Sequence, residues 1–212
     1  MAATIRSCWA GGDGTFIVKT EVFLTGGLGG YGPSVITDYD DDGVPDLIAT
    51  NEGTPSDFPG TGEIPSLFVL KGFGDRTFNG GKFVDAGNSG LGLTLGDFTG
   101  DGRQDLAIYN GMSSTVALKL ASSTTGLTSV PAARYGVVGD YHLFVTLLSG
   151  DVNGDGTRDL LVVAHAGVQV LLGTGGGHMR APAATEIQSF SEDLKATDLN
   201  HDGFGFGDPQ RR

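Results

Sequence analysis

The sequence predicts an all-β protein built from one repeated unit of about 50 residues. Three ten-residue segments are nearly alike, and they are Asp38–Leu47, Asp97–Leu106 and Asp151–Leu160. They recur at intervals of 59 and 54 residues, and a period of this size is typical of repeat architectures. An apolar run follows each segment, and 37 glycines without a collagen period indicate many tight turns between short strands.

Each unit contains four predicted strands, with a polar loop after the first strand and turns after the second and third. In the third unit the polar loop is preceded by residues 142–148, and three further strands are expected at Leu160–Ala164, Val168–Leu172 and about Ala183–Phe190. The first unit adds an insert from Asn51 to Pro65, rich in Gly, Pro and Thr, which we expect to be a surface loop. Four short antiparallel strands per unit predict a propeller blade.

The units define one domain, residues 1–212, of about three full blades and two half-blades. The expected boundaries are a half-blade at 1–25, blades at about 26–85, 86–138 and 139–190, and a half-blade at 191–212. Two interpretations are open: the half-blades pair and close a small ring, or the chain is part of a larger propeller. Residues 204–212 lack the Asp-Leu pair and the apolar run of the other units, which favours the larger propeller.

The three polar loops have the composition of calcium sites. Oxygen-bearing side chains alternate along each loop and a glycine follows at position six, where it permits a sharp turn. Calcium binds six to eight oxygen ligands from carboxylates, amides, carbonyls and water. The expected ligands are Asp38, Asp40, Asp42, the Val44 carbonyl and Asp46; Asp97, Thr99, Asp101, the Arg103 carbonyl and Asp105; and Asp151, Asn153, Asp155, the Thr157 carbonyl and Asp159.

About three calcium ions are therefore expected, ranked by ligand charge. The first loop, with four carboxylates, should bind most tightly, and the second, with Thr99, least tightly. A fourth, incomplete loop (Asp198, Asn200 and Asp202) should bind weakly or not at all, because Phe206 occupies the closing position. Magnesium and zinc are disfavoured by the ligand set, and the apolar strands after each loop exclude an EF-hand. A metal-free polar turn remains the alternative.

Charge and composition limit the partners. The net charge is −12, and the metal-loop positions take twelve of the 25 acidic residues, so the acidity reflects the loops. The sequence lacks the basic stripe that would indicate nucleic-acid binding. It also lacks an apolar run long enough to span a membrane. Cys8 is the one cysteine, so no internal disulfide is expected. Weak open-loop sites fill at near-millimolar calcium, which predicts an extracellular or cell-surface location, although residues 1–8 do not resemble a signal peptide.

These motifs resemble the FG-GAP/VCBS repeat family, the calcium-binding blades of integrin alpha subunits and of many secreted proteins. The resemblance is most complete for Asp151–Leu160 followed by Val168–Gly173, and Gly11–Phe16 matches the family's glycine-rich turn alone; the second unit has Leu118–Ser123 in place of that turn. It implies a calcium-binding β-propeller, commonly of seven blades. Family members include adhesion heads, lectins and non-catalytic parts of polysaccharide-degrading enzymes, so the resemblance implies the fold and the ion more specifically than the ligand.

The expected function is recognition of a carbohydrate or protein ligand, rather than catalysis. No nucleophile elbow, zinc-protease motif or phosphate loop is present. By the integrin resemblance the ligand should meet the face opposite the metal loops, where the candidate residues are Tyr31, Asp57, Phe58, Tyr135, Tyr141 and His142. The alternative is a catalytic or non-catalytic propeller of a secreted polysaccharide-degrading enzyme, with Tyr141 and His142 as acid and base.

Overall fold

A computed structural model describes residues 3–10, 16–24, 31–53, 64–75, 77–79, 81–122, 126–127, 133–137, 145–164, 167–180 and 183–185. These residues form fourteen β-strands and no helix, which confirms the all-β prediction. Within them, no helix has the length and apolar character needed to cross a membrane.

The strands form one hairpin and three four-stranded antiparallel sheets. The hairpin is β1 (Ala3–Ala10) and β2 (Phe16–Leu24). The first sheet contains β3 (Tyr31–Thr37), β4 (Asp46–Asn51), β5 (Pro65–Leu70) and β6 (Lys82–Asn88). The second contains β7 (Gly90–Gly96), β8 (Asp105–Asn110), β9 (Thr115–Lys119) and β10 (Ala133–Gly136). The third contains β11 (Thr146–Gly150), β12 (Asp159–Ala164), β13 (Gly167–Leu171) and β14 (Ala183–Thr185).

The predicted four-stranded antiparallel unit is therefore confirmed, with neighbours in the sheet following chain order. The outer strand expected at Ala183–Phe190 is described as β14 as far as Thr185. Residues 186–212, including the predicted half-blade at 191–212, lie outside the described residues, and so does most of the first-unit insert.

The second sheet lies between the other two. Its inner strand β8 contributes buried residues to both faces of the sheet. Every residue of β8 is buried. Leu106 and Ile108 belong to the core shared with the first sheet, which also contains Ile48 and Leu67. Alternate residues of a strand point to opposite faces. Ala107 and Tyr109 accordingly belong to the core shared with the third sheet.

The two outer faces of this row of sheets also carry apolar clusters. On the first sheet, Phe68 and Leu70 are buried, and the Phe68 ring packs edge-on against Phe83 with centroids 4.9 Å apart. On the third sheet, Leu161 and Val163 form the corresponding cluster. Fully burying a side chain of this size stabilises a fold by roughly 1.5–3 kcal/mol, so all four apolar clusters contribute to stability.

Successive sheets are also joined by backbone hydrogen bonds from a turn to a loop. The turn between β9 and β10 donates from the Leu127 amide to the Tyr39 carbonyl, at 2.8 Å, in the loop between β3 and β4. The turn between β13 and β14 repeats this one sheet later, where the Gly177 amide donates to the Phe98 carbonyl at 3.0 Å. Each such turn therefore fixes the position of the preceding sheet's polar loop.

Gly126 permits the first of these contacts, and its replacement by alanine should destabilise the fold. Its φ is +55°, and an added Cβ would lie 2.5 Å from the Tyr39 carbonyl oxygen. We expect Gly126→Ala to lower the free energy of unfolding by about 1–3 kcal/mol, measured by urea denaturation. Gly136→Ala is the control, because an added Cβ there meets open space. Equal stabilities of the two variants would contradict the turn-to-loop contact.

Candidate metal centres

The three predicted metal loops connect the first and second strands of each sheet and share one hydrogen-bond scheme. The Oδ2 atom of the first aspartate accepts from the amide of the position-six glycine at 2.8 Å in every loop; the pairs are Asp38–Gly43, Asp97–Gly102 and Asp151–Gly156. The Oδ1 atom accepts from the position-five amide at 3.0–3.2 Å; those donors are Asp42, Asp101 and Asp155. The first aspartate thus holds each loop closed through its backbone.

The loops bend at two left-handed positions, where sequence analysis identified one. Position six is glycine in every loop, with φ of 84°, 86° and 83°. Position four is also left-handed, and there the second and third loops have Gly100 and Gly154, whereas the first has Asp41 at φ 61°. Glycine adopts this conformation without the steric cost that a Cβ brings. Glycine recurs at position four in two of the loops, so the sequence could have predicted this second left-handed position.

The aspartate at position five accepts from the amide of position seven at 2.8–2.9 Å; the pairs are Asp42–Val44, Asp101–Arg103 and Asp155–Thr157. The Thr157 hydroxyl also donates to Asp155 and, with the Thr157 amide, lowers the pKa of that carboxyl. For Asp97, burial raises the pKa, but the amides of Gly102 and Gly100 and further hydrogen bonds outweigh it and lower the pKa overall.

The closing aspartate of each loop is buried and accepts hydrogen bonds both from its own loop and from a turn further along the chain. Asp46, Asp105 and Asp159 are at most 1% exposed. Their Oδ2 atoms accept at 2.8–2.9 Å from the position-two amides of Tyr39, Phe98 and Val152. Their Oδ1 atoms accept at 2.7–2.8 Å from the amides of Gly72, Ala121 and Gly173. Each carboxylate therefore joins the loop, the second strand and the turn after the third strand.

Burial is the main reason that the pKa of each closing carboxyl is raised, against the opposing effect of its amide hydrogen bonds. The sequence predicted these residues as metal ligands and missed their amide partners, which lie 14 to 26 residues further along the chain. A carboxylate oxygen has two lone pairs, so the amide bonds leave room for a ligand role, which stays a prediction.

The carboxylates of Asp38, Asp40 and Asp42 converge, with potential ligand atoms within 4.8 Å of one another. Within the described part of the chain, this is the one group of three acidic, histidine or cysteine side chains so arranged. At position three, the second and third loops have a neutral side chain that carries oxygen, Thr99 and Asn153 respectively. All three loops therefore present the oxygen-only ligands that calcium prefers.

The first loop also holds a lysine that the sequence analysis did not assign. The Lys71 ammonium contacts the Asp40 carboxylate and lies 2.6 Å from Asp42 Oδ2. Its hydrogen bonds with Asp40 and Asp42 raise its own pKa, and its bond to Asp42 is the main cause of that carboxyl's lowered pKa. The paired strands place Leu120 and Leu172 at the position of Lys71 in the other sheets.

Of the predicted ligand-contact residues, Tyr135 has its hydroxyl engaged within the protein. The hydroxyl donates to the Gly177 carbonyl at 3.3 Å and accepts from the Met179 amide at 3.2 Å, while the half-buried ring packs on the core. Tyr31 begins β3, and its side chain is not described. The other predicted contacts (Asp57, Phe58, Tyr141 and His142) and the fourth loop (Asp198, Asn200 and Asp202) lie outside the described residues.

Comparison with known proteins supports the repeat assignment. Residues 151–204 match the family model described as FG-GAP-like repeat, which confirms the resemblance for the third unit and the residues after it. No curated protein matches the chain.

One similar solved structure is described as the structural basis of specific recognition of non-reducing terminal N-acetylglucosamine by an Agrocybe aegerita lectin. It shares 19% sequence identity with a TM-score of 0.49, and the alignment covers 84% of this chain and 46% of the lectin chain. The chain thus spans about half of that protein's length.

Replacing a closing aspartate should destabilise the protein with or without calcium. In Asp159→Asn, the side-chain NH2 replaces one of the two carboxylate oxygens and so faces a backbone N–H, which is also a donor. The buried donor left without an acceptor costs about 1–3 kcal/mol. We expect this loss of unfolding free energy in chelator, measured by urea denaturation. Asp155→Asn is the matched control in the same loop, with an exposed carboxylate, and should lose less in chelator. Equal losses for the two variants would contradict the role of Asp159 in joining the loop to the turn after the third strand.

Proposed function

We propose that this chain is a calcium-stabilised β-propeller module that recognises a carbohydrate or protein ligand outside the cell. The observation that supports it most directly is the loop scheme, because the same five carboxylate–amide contacts recur in three successive sheets. A family match over residues 151–204 agrees with it.

A propeller is supported by how the sheets stack. The second sheet packs face to face on both neighbours, and each turn after a third strand docks on the preceding loop. The clusters on the outer faces, around Phe68 and Leu161, are buried too, which agrees with a propeller, because each blade there packs through both of its faces. Ring closure and blade number belong to this proposal.

Calcium suits the second and third loops by ligand chemistry. Each combines a half-buried carboxylate at position one and an exposed carboxylate at position five with a neutral oxygen at position three and a closing carboxylate. In the second loop, Asp97, Thr99 and Asp101 would bind the ion together. In the third loop, Asp151, Asn153 and Asp155 would do the same. A bound ion would offset the repulsion among these carboxylates and fix the connection between the first two strands of its sheet.

Ligand recognition is assigned to the end of the sheets opposite the metal loops. Antiparallel pairing places the β4–β5 connection, with the Asn51–Pro65 insert, at that opposite end. Functional residues are often carried by loops on a rigid scaffold. The insert contains Phe58, and the connection before β11 contains Tyr141; aromatic side chains of this kind suit contact with sugar rings or protein surfaces.

Calcium should raise the melting temperature, and chelator should lower it. For a dissociation constant of about 10 µM, millimolar calcium adds about 2.7 kcal/mol per site. Asp155→Ala should bind one calcium fewer than the parent by native mass spectrometry and should show a smaller rise in melting temperature. A melting temperature that is the same in chelator and in millimolar calcium would refute the structural role of the ion.

Recognition should be seen on arrays of immobilised glycans and extracellular proteins, probed with the whole chain in calcium. We expect binding to a defined ligand class that Phe58→Ala or Tyr141→Ala weakens at least about tenfold, as removal of an aromatic interface anchor does, without a change in melting temperature. Turnover of uronic-acid polymers that depends on Tyr141 and His142 would instead establish the enzyme alternative.

A further inference from the structure

The first metal loop differs from the other two by two additional acidic residues. Asp40 and Asp41 occupy positions three and four, where the other loops have neutral residues, namely Thr99 and Gly100 in the second and Asn153 and Gly154 in the third. Five carboxylates therefore lie between Asp38 and Asp46. Unless cations offset them, carboxylates held this close destabilise a loop by mutual repulsion.

Each additional carboxylate has its own basic partner. The Lys71 ammonium contacts Asp40 and also lies 2.6 Å from Asp42 Oδ2. The Arg103 guanidinium, from the second loop, lies 2.8 Å from Asp41 Oδ1. These side chains are 29–39% exposed, so the pairs form at the edge of the protein rather than in full solvent.

We propose that the Lys71 ammonium takes the place of the metal ion in the first loop, so that calcium binds there only by displacing Lys71. The loop that has the most carboxylates is then the weakest calcium site of the three, rather than the tightest as its sequence predicts. The comparison with the other loops rests on the proposed calcium function, whereas the role of Lys71 as a tethered cation stands independently of it.

The position of the ammonium supports this assignment. Lys71 contacts two of the three carboxylates whose oxygens converge within 4.8 Å, so its ammonium lies beside the groups that would bind an ion. The equivalent leucines, Leu120 and Leu172, bring no charge to the second and third loops. A calcium ion in the first loop would have to share its ligands with a positive charge, which repels it.

Displacement is nevertheless sterically possible. A cavity of about 110 Å³ lies beside the first loop, and Lys71, Asp40 and Asn79 contribute to its wall. Within the described part of the chain, Asp40 Oδ1 is buried and has no hydrogen-bond partner. High calcium could therefore use this oxygen while the lysine moves into the cavity, which makes the first loop a low-affinity site.

The test is the substitution Lys71→Leu, which gives the first loop the residue found at the same place in the other two. Lys82→Leu is the matched control: it removes the same charge from the wall of the same cavity, but the Lys82 ammonium lies over the Tyr39 ring, 5.9 Å from its centroid. Calcium binding is measured by titration calorimetry and native mass spectrometry on the whole chain.

We expect Lys71→Leu to bind one more calcium than the parent, or to bind it in the first loop at least about tenfold more tightly, as loss of a neighbouring like charge implies. Adding Asp42→Asn should abolish this gain. In chelator, Lys71→Leu should melt below Lys82→Leu, because its carboxylates lose their cation, and calcium should restore it.

The proposal is overturned if Lys71→Leu and Lys82→Leu behave alike in both measurements. It is also overturned if the parent's first and third loops bind calcium equally tightly, with Asp42→Asn and Asp155→Ala each removing one ion. If Asp155→Ala removes no ion and chelator has no effect on the parent, the calcium function fails by itself. A lower melting temperature of Lys71→Leu than of Lys82→Leu in chelator then still supports the tethered cation.

Discussion

The fold depends on a buried carboxylate that accepts backbone hydrogen bonds through both of its oxygens. Asp46, Asp105 and Asp159 begin the second strand of their sheets, and each joins its own loop to the turn that follows the third strand. Removing such a carboxylate from water is costly unless both oxygens find donors. The amides that satisfy it must therefore be held in place, which couples the loop and the turn to the strand between them.

This coupling extends from one sheet to the next. The turn held by the closing aspartate of one sheet also donates hydrogen bonds to the loop of the preceding sheet, as Leu127 does to Tyr39 and Gly177 to Phe98. The first and second loops are consequently in contact with two units each, their own and the following one. Stability in such an array is expected to rise with each added neighbour, and an ion bound in one loop would stabilise the interface as well as the sheet.

Much of this architecture could be predicted from local sequence. The period, the apolar run after each loop and the glycine turns were sufficient for four antiparallel strands per unit, because each signal lies within a few residues of the strand it specifies. The contacts between units could not be predicted in this way. Gly126 has no local motif that shows its approach to Tyr39. Nor does the sequence show that the Tyr135 hydroxyl hydrogen-bonds the next unit's turn; contact of Tyr135 with a ligand stays a prediction. The ligand loops around Phe58 and Tyr141 stay predictions.

The same holds for the metal loops: the acidic residues of each loop can be read from its ten residues, whereas a basic residue that contacts it comes from far along the chain. Counting carboxylates along ten residues ranks the first loop highest, since Asp40 adds charge where the other loops have Thr99 or Asn153. Lys71 stands 31 residues beyond Asp40, after an insert, and only the pairing of β4 with β5 brings its ammonium to the loop. A carboxylate-rich loop attracts any nearby cation, whether an ion or a side chain. If the loops bind calcium, as proposed above, their affinity should follow the charge that the folded loop leaves unpaired, rather than the number of acidic residues in its sequence.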